Sequence, residues 1–414
     1  MQRLIAWTVV WLVCVGLLAA GAEPRVAVTG SWPREDISLT IYGPSVTLVQ
    51  ERRSLGLNQG VNEFRMSWAG VTVDRSSVGL NSPDLTIRDA VWLDSDPNTV
   101  IWRLDARRAG AYPVSVFYHV AGLSWEADHT LTVDDSEQRL ALRSWAAIAN
   151  RSGESYQDAE VRLALGDIQL LPGPWGPAGP PGPRPAVGAD RAMARAEAGV
   201  AEFYREGSAD YTFYTLARRE SLESGEIRRV ELANRSGIPV RKVFVHDERE
   251  HGSAVALQYW FENQREHELG PLPPGIARVY RQDGQGRLTL LGEDRLAHTA
   301  MGEMAKVHLG AARNLLVEVV QTAYQRADET FDRETGRLAS FVERAEWTIT
   351  IRNRREESSE VILRQYLPSP DAEVLDSTPQ AKRPRADQLE WELKVGAGET
   401  QRVVFRTSRK VYQR

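Results

Sequence analysis

The chain has 414 residues, one cysteine and a formal net charge of -5. This mildly acidic, evenly mixed composition lacks the basic face that nucleic acids need and the polybasic patch that anionic lipids need. Cys14 falls in an apolar leader, so the mature chain has no disulfide, no thiolate nucleophile and no Cys-ligated zinc, and its stability must come from buried apolar surface.

Arg3, the apolar run Leu4 to Leu18 and the small residues Ala20-Gly21-Ala22 ahead of Glu23-Pro24 have the anatomy of a secretory signal peptide over residues 1–22. The run is shorter than the roughly 20 residues that span a bilayer. The expected product is a periplasmic or extracellular protein with no stable membrane insertion after cleavage. Residues 23–105 read as an N-terminal β module, with Val46 and Leu48, then Leu85 and Ile87, then Val100, Trp102 and Leu104 in alternation. Residues 106–305 read as a central β-sandwich that opens on the alternating Val114, Val116, Tyr118 and Val120.

Three apolar runs then stop at an Asn-Arg pair: Asn150-Arg151, Asn234-Arg235 and Asn353-Arg354. Asn and the nearby Gly153 and Gly237 tolerate left-handed backbone, so each copy predicts strand, turn, strand. The first two copies also match the glycosylation sequon, for which the turn is the simpler explanation. Between Pro172 and Glu206 the Pro- and Gly-rich text predicts a flexible connector inserted into the central domain. Asp283-Gly284 predicts a hairpin loop. Residues 306–414 read as a C-terminal Ig-like sandwich, whose clearest strand alternates Leu389, Trp391, Leu393 and Val395 before Gly396-Ala397-Gly398 turns it back. The predicted fold class is therefore all-β: tandem β-sandwich modules with a C-terminal Ig-like domain and a Pro/Gly-rich inserted loop.

Gly122-Leu123-Ser124-Trp125 followed by Asn150-Arg151-Ser152-Gly153, Leu272-Pro273-Pro274-Gly275 leading into Arg278-Val279-Tyr280, Leu291-Gly292-Glu293-Asp294, and Asn353-Arg354 leading to Leu367-Pro368 occur here in one order. In that order they resemble a bacterial domain-of-unknown-function family found in mucoidy-inhibitor-A-like proteins. The resemblance runs over most of Ile37 to Tyr412. It implies an envelope-associated β protein and brings no catalytic residues with it. Larger members carry a coiled coil, and no sustained heptads occur here.

The chemistry-bearing motifs are sparse. His246-Asp247-Glu248-Arg249-Glu250-His251 places two histidines five apart, whereas zincin ligands stand four apart on one helical face. The predicted state is a solvated charged loop without metal, and its candidate ligands are His246, Glu250 and His251. A second set, His119, Glu126, Asp128 and His129, meets only if a hairpin brings its strands together, and histidines among aromatic strands ordinarily sit satisfied at a core edge. Gly122-Leu123-Ser124-Trp125-Glu126 lacks the second glycine of a hydrolase elbow, and Gly284-Gln285-Gly286 lacks the third glycine of a dinucleotide site. No cofactor is expected.

Tryptophan is abundant at twelve residues, most at alternating strand positions that predict core. Trp175 stands apart in the connector as a possible ligand contact. The leading expectation is an exported non-enzymatic envelope protein that binds a protein partner or serves a structural role. A carbohydrate-binding module for exopolysaccharide or peptidoglycan is the alternative, and a metal-dependent hydrolase stands third.

Overall fold

The computed structural model describes residues 26–28, 32–43, 46–68, 70–165, 207–208 and 211–413. The predicted leader 1–22, the connector 172–206 and Trp175 lie outside the described residues. The rest is almost entirely strand, in agreement with the all-β expectation. Among the described residues no helix is long and apolar enough to cross a membrane.

The chain divides into two compact units. The first holds residues up to Leu39 together with Leu48–Ala121. Its strands are β1 (Val26–Val28), β2 (Asp36–Tyr42), β3 (Val46–Leu57), β4 (Gly60–Ser67), β5 (Val73–Asn81), β6 (Leu85–Leu93), β7 (Asp96–Ala106) and β8 (Gly110–Val120), the division passing through β2 and β3. One sheet runs β1-β4-β7-β6, and β3, β8 and β5 lie side by side in another. Alternation buries Phe64, Trp102, Leu104, Val116 and Tyr118, with Phe64 stacked on Trp102 at 5.4 Å. β8 thus belongs with the first unit, whereas the sequence boundary at 105/106 assigns it to the central domain. The reason is long-range pairing: β8 runs antiparallel to β5, and its Tyr118 hydroxyl donates to the buried Glu51 of β3.

The second unit begins in chain order with β9 (Leu123–Val133), β10 (Arg139–Asn150), β11 (Tyr156–Leu165), β12 (Gly207–Ser208), β13 (Tyr211–Thr215), β14 (Glu220–Leu222), β15 (Ile227–Pro239) and β16 (Arg241–Asp247). After the single helical turn α1 (Glu248–His251) come β17 (Val255–Glu262), β18 (Gly275–Gln282), β19 (Leu288–Leu296) and β20 (Met304–Ala311). The chain ends with β21 (Leu315–Phe331), β22 (Leu338–Asn353), β23 (Ser359–Tyr366), β24 (Glu373–Thr378), β25 (Lys382–Arg385), β26 (Gln388–Val395) and β27 (Thr400–Tyr412).

Three sheets of this unit carry two apolar cores: β15-β10-β9-β18-β19, β20-β17-β16-β23-β26-β25 and β21-β22-β27-β24. The middle one is shared. Its Tyr259, Phe261, Ala305 and Val307 pack with Leu131, Leu142 and Val279 of the first sheet, while its Phe244, Val361, Leu363 and Trp391 pack with Ile349, Ile351, Val403 and Phe405 of the third. The parallel pairing of β16 with β23 is the seam. The central and C-terminal sandwiches drawn at 305/306 in sequence therefore share one six-stranded sheet.

The Asn-Arg motifs explain this plan, because two of them close the same turn in two copies of one module. Asn150 ends β10 opposite Leu123, and Asn353 ends β22 opposite Leu315. Each asparagine donates Nδ2 to the carbonyl four residues on (Glu154, 2.7 Å; Glu357, 2.9 Å) and accepts at Oδ1 from the amide two residues on, that of Ser152 or Arg355. Nδ2 also reaches the last carbonyl of a following strand, Leu222 at 2.9 Å or Val395 at 3.2 Å. The asparagine amides donate to Glu226 and Glu399 just ahead of β15 and β27, and the Arg151 and Arg354 amides donate to Gly122 and Asn314 just ahead of β9 and β21. β11 meets β14 at Tyr156 and Leu222, as β23 meets β26 at Ser359 and Val395. The central and C-terminal modules are thus a structural duplication.

The third motif is a correction. Asn234-Arg235-Ser236-Gly237 does not turn the chain, because β15 runs straight through it. Leu140 faces Ile238 and Leu142 faces Arg235, so β15 carries one extra residue there. Gly237 at φ 78° accommodates it, which makes the segment a β-bulge. The hairpin at Asp283-Gly284 forms between β18 and β19 as expected.

Candidate functional site

The one-turn helix α1 and the ends of β16, β23 and β26 gather the densest set of charged groups that includes the sequence-predicted residues. α1 begins because Asp247, in extended backbone at the end of β16, caps it: Oδ1 accepts from the amides of Arg249 at 3.1 Å and Glu250 at 3.3 Å. Gly252 at φ 61° ends it after four residues. The expected solvated loop is corrected in part, since Glu248, Arg249 and Glu250 are exposed but form a helical turn that starts from buried residues. Asp247 is fully buried and His246 nearly so, since β16 is an interior strand of its sheet.

The other carboxylate oxygen of Asp247 accepts from the Tyr366 hydroxyl at 3.1 Å and from Arg364 Nη1 at 3.4 Å. Arg364 in turn donates Nε to Glu390 at 3.0 Å. Register puts these groups in one row, since Asp247 pairs with Arg364 across the parallel seam and Arg364 with Glu390 across the next ladder. Arg249 lies over the Tyr366 ring at 3.6 Å and binds Asp387 at 3.0 Å, fastening α1 over the row. Burial opposes the charge on Arg364, but Glu390 and Asp247 outweigh it and hold its pKa above the ordinary value. Burial, then Asp247, raises Tyr366. A buried carboxylate held by two amides, a hydroxyl and a guanidinium has its lone pairs committed, and that satisfaction is what makes its burial tolerable. It has no free valence with which to act as a general base.

The metal candidates do not converge. His246 is buried, and its pKa is lowered chiefly by burial, with the backbone of Ala254 opposing. His251 stacks on His308 of β20 at 4.9 Å and stands 3.5 Å from Gln258 Nε2, while Gln258 Oε1 accepts from Trp260 Nε1 at 2.7 Å. Glu250 is largely exposed and leans toward Arg364 at 3.7 Å. Among the described residues no three His, Cys, Asp or Glu groups form a ligand set.

Two members of the second candidate set, His129 and Asp128, are engaged elsewhere. His129 is buried in β9, with Nε2 donating to the Pro273 carbonyl at 2.9 Å and Nδ1 unpartnered. Burial lowers its pKa, the Pro273 carbonyl and Asp128 opposing. Asp128 is salt-bridged to Arg229. Of the described tryptophans, Trp68, Trp102, Trp125, Trp260 and Trp391 are buried, and Trp32, Trp92, Trp145 and Trp347 are half-buried. A hollow of about 400 Å³ beside β16 is lined by Lys242, Phe244, Arg355 and Lys394 with Glu357, Glu360 and Glu392. Its charges are largely spent on ion pairs: Lys242 with Glu137, Arg355 with Glu357, Glu360 with Arg241, and Glu392 with Lys382.

Two features escaped sequence reading. Glu51 in the first unit is a fully buried carboxylate bound by Arg34 at 2.9 Å, Arg53 and Tyr118. Its partners are scattered along the chain, and only Arg53 stands close by. β21, the longest strand in the described residues, lies at the end of its sheet, and from Val320 to Arg326 it is exposed on both faces. Its alternation suggests an ordinary strand, and only sheet order reveals the open edge.

No curated protein matches the chain. The family described as Domain of unknown function (DUF4139) matches residues 114–411, which begin in β8 and run through both copies of the duplicated module. With most of its length matched, the chain belongs to the DUF4139 family.

Proposed function

We propose that the chain is an exported, non-enzymatic protein of the bacterial cell envelope, akin to mucoidy-inhibitor-A-like proteins, that acts by holding a protein partner. The observation that carries this reading is the contrast between committed chemistry and an uncommitted edge. Asp247, Arg364, Tyr366 and Glu390 satisfy one another, whereas β21 presents 17 residues of strand at a sheet end, with Val320, Tyr324 and Phe331 exposed. A long edge strand is a ready template for another chain. The leader-like residues 1–22 support export.

Crosslinking the mature protein in its native envelope tests the reading, and the expected adduct is a protein joined through residues of β21 or its neighbours. Capture of glycan alone would replace this reading with carbohydrate binding. N-terminal sequencing should begin at or near Glu23, and recovery of intact Met1 would remove the export step.

A further inference from the structure

We draw no further inference here: the strongest candidate, the open edge of β21 at the end of its sheet, is the surface on which the protein-binding reading already rests, and nothing in the structure shows what covers it, since the stretch of β21 that matches the part of β9 covered by β18 bulges after Gln321 and is exposed on both faces.

Discussion

The central and C-terminal copies of the duplicated module share a turn down to individual hydrogen bonds, yet they put the strand before that turn to different uses. β9 is interior and buried on its core face along its whole length, and β21 leaves its sheet end open. The turn is conserved in geometry because it joins three segments at once, the closing strand, the entry to the next and the returning hairpin, and the same atoms of one asparagine do the joining. The edge is not constrained in that way. What differs between the copies is the use made of the strand before the turn, and what they share is what holds each of them folded.

The largest effect should come from Asn353→Ala. Asn353 Nδ2 serves three carbonyls, those of Glu357 at 2.9 Å, Val395 at 3.2 Å and Gly396 at 2.8 Å, and the residue is 1% exposed. Water cannot readily replace those bonds, and stranding buried acceptors costs about 1–3 kcal/mol each when relaxation is incomplete. A loss of about 3 kcal/mol is expected in urea unfolding with the slope unchanged. Asn150→Ala should cost less, about 2 kcal/mol, because Asn150 Nδ2 serves two carbonyls and Ser152 partly closes the same turn with its own hydroxyl. If the order were reversed, or both changes fell below about 0.5 kcal/mol, the turns would not be the shared fastening of the two copies.

The contrast between the Asn-Arg motifs also marks how far the sequence is legible. Alternation identifies strands well, as in β8, β18 and β26, and Asn with Gly identifies two of the three turns. It fails at Asn234 because a bulge and a turn use the same residues. Gly at positive φ serves either, and the opposing strand β10, which runs on past the motif, decides between them. The shared six-stranded sheet is hidden for a similar reason, since a parallel seam between β16 and β23 joins segments far apart with no local signal of register. At the candidate site the cluster His246 to His251 is visible in sequence, but its state is not. Arg364, Tyr366 and Glu390 turn a charged string into a buried, satisfied row, and they arrive from strands more than a hundred residues later.

A third, intermediate effect separates the copies by pH. His129 in the central copy corresponds to Gln321 in the C-terminal one. Burial holds His129 below its ordinary value of 6.5, so the folded state binds fewer protons than the unfolded state as pH falls. Its contribution is therefore complete above about pH 6.5 and is lost progressively below it. His246, likewise lowered by burial, adds a second contribution of the same sign outside the duplicated strands. Each should make stability fall as pH drops through and below that point. His129→Gln, which installs the sister residue, should remove one of the two slopes in unfolding measured from pH 7.5 to 5. An unchanged slope would mean that His129 is not the acid-sensitive element of the central copy.

The smallest effect is expected at the third motif. Asn234 looks identical to Asn150 in sequence, since both are followed by Arg-Ser-Gly. In the structure it is half-buried, and its Nδ2 reaches only the Glu231 carboxylate at 3.3 Å, a partner that water can replace. Asn234→Ala should therefore cost less than about 0.5 kcal/mol, as surface changes away from caps and buried networks do. The strain at this motif sits three residues later instead. Gly237 at φ 78° carries the bulge, and a Cβ placed there meets no atom within 4 Å, so Gly237→Ala has its cost in backbone conformation alone. That cost is about 1–2 kcal/mol for an L residue in left-handed backbone. An Asn234→Ala penalty as large as that of Asn150→Ala would mean that the bulge is fastened like the turns, and the line between the two true copies and their sequence look-alike would have to be redrawn.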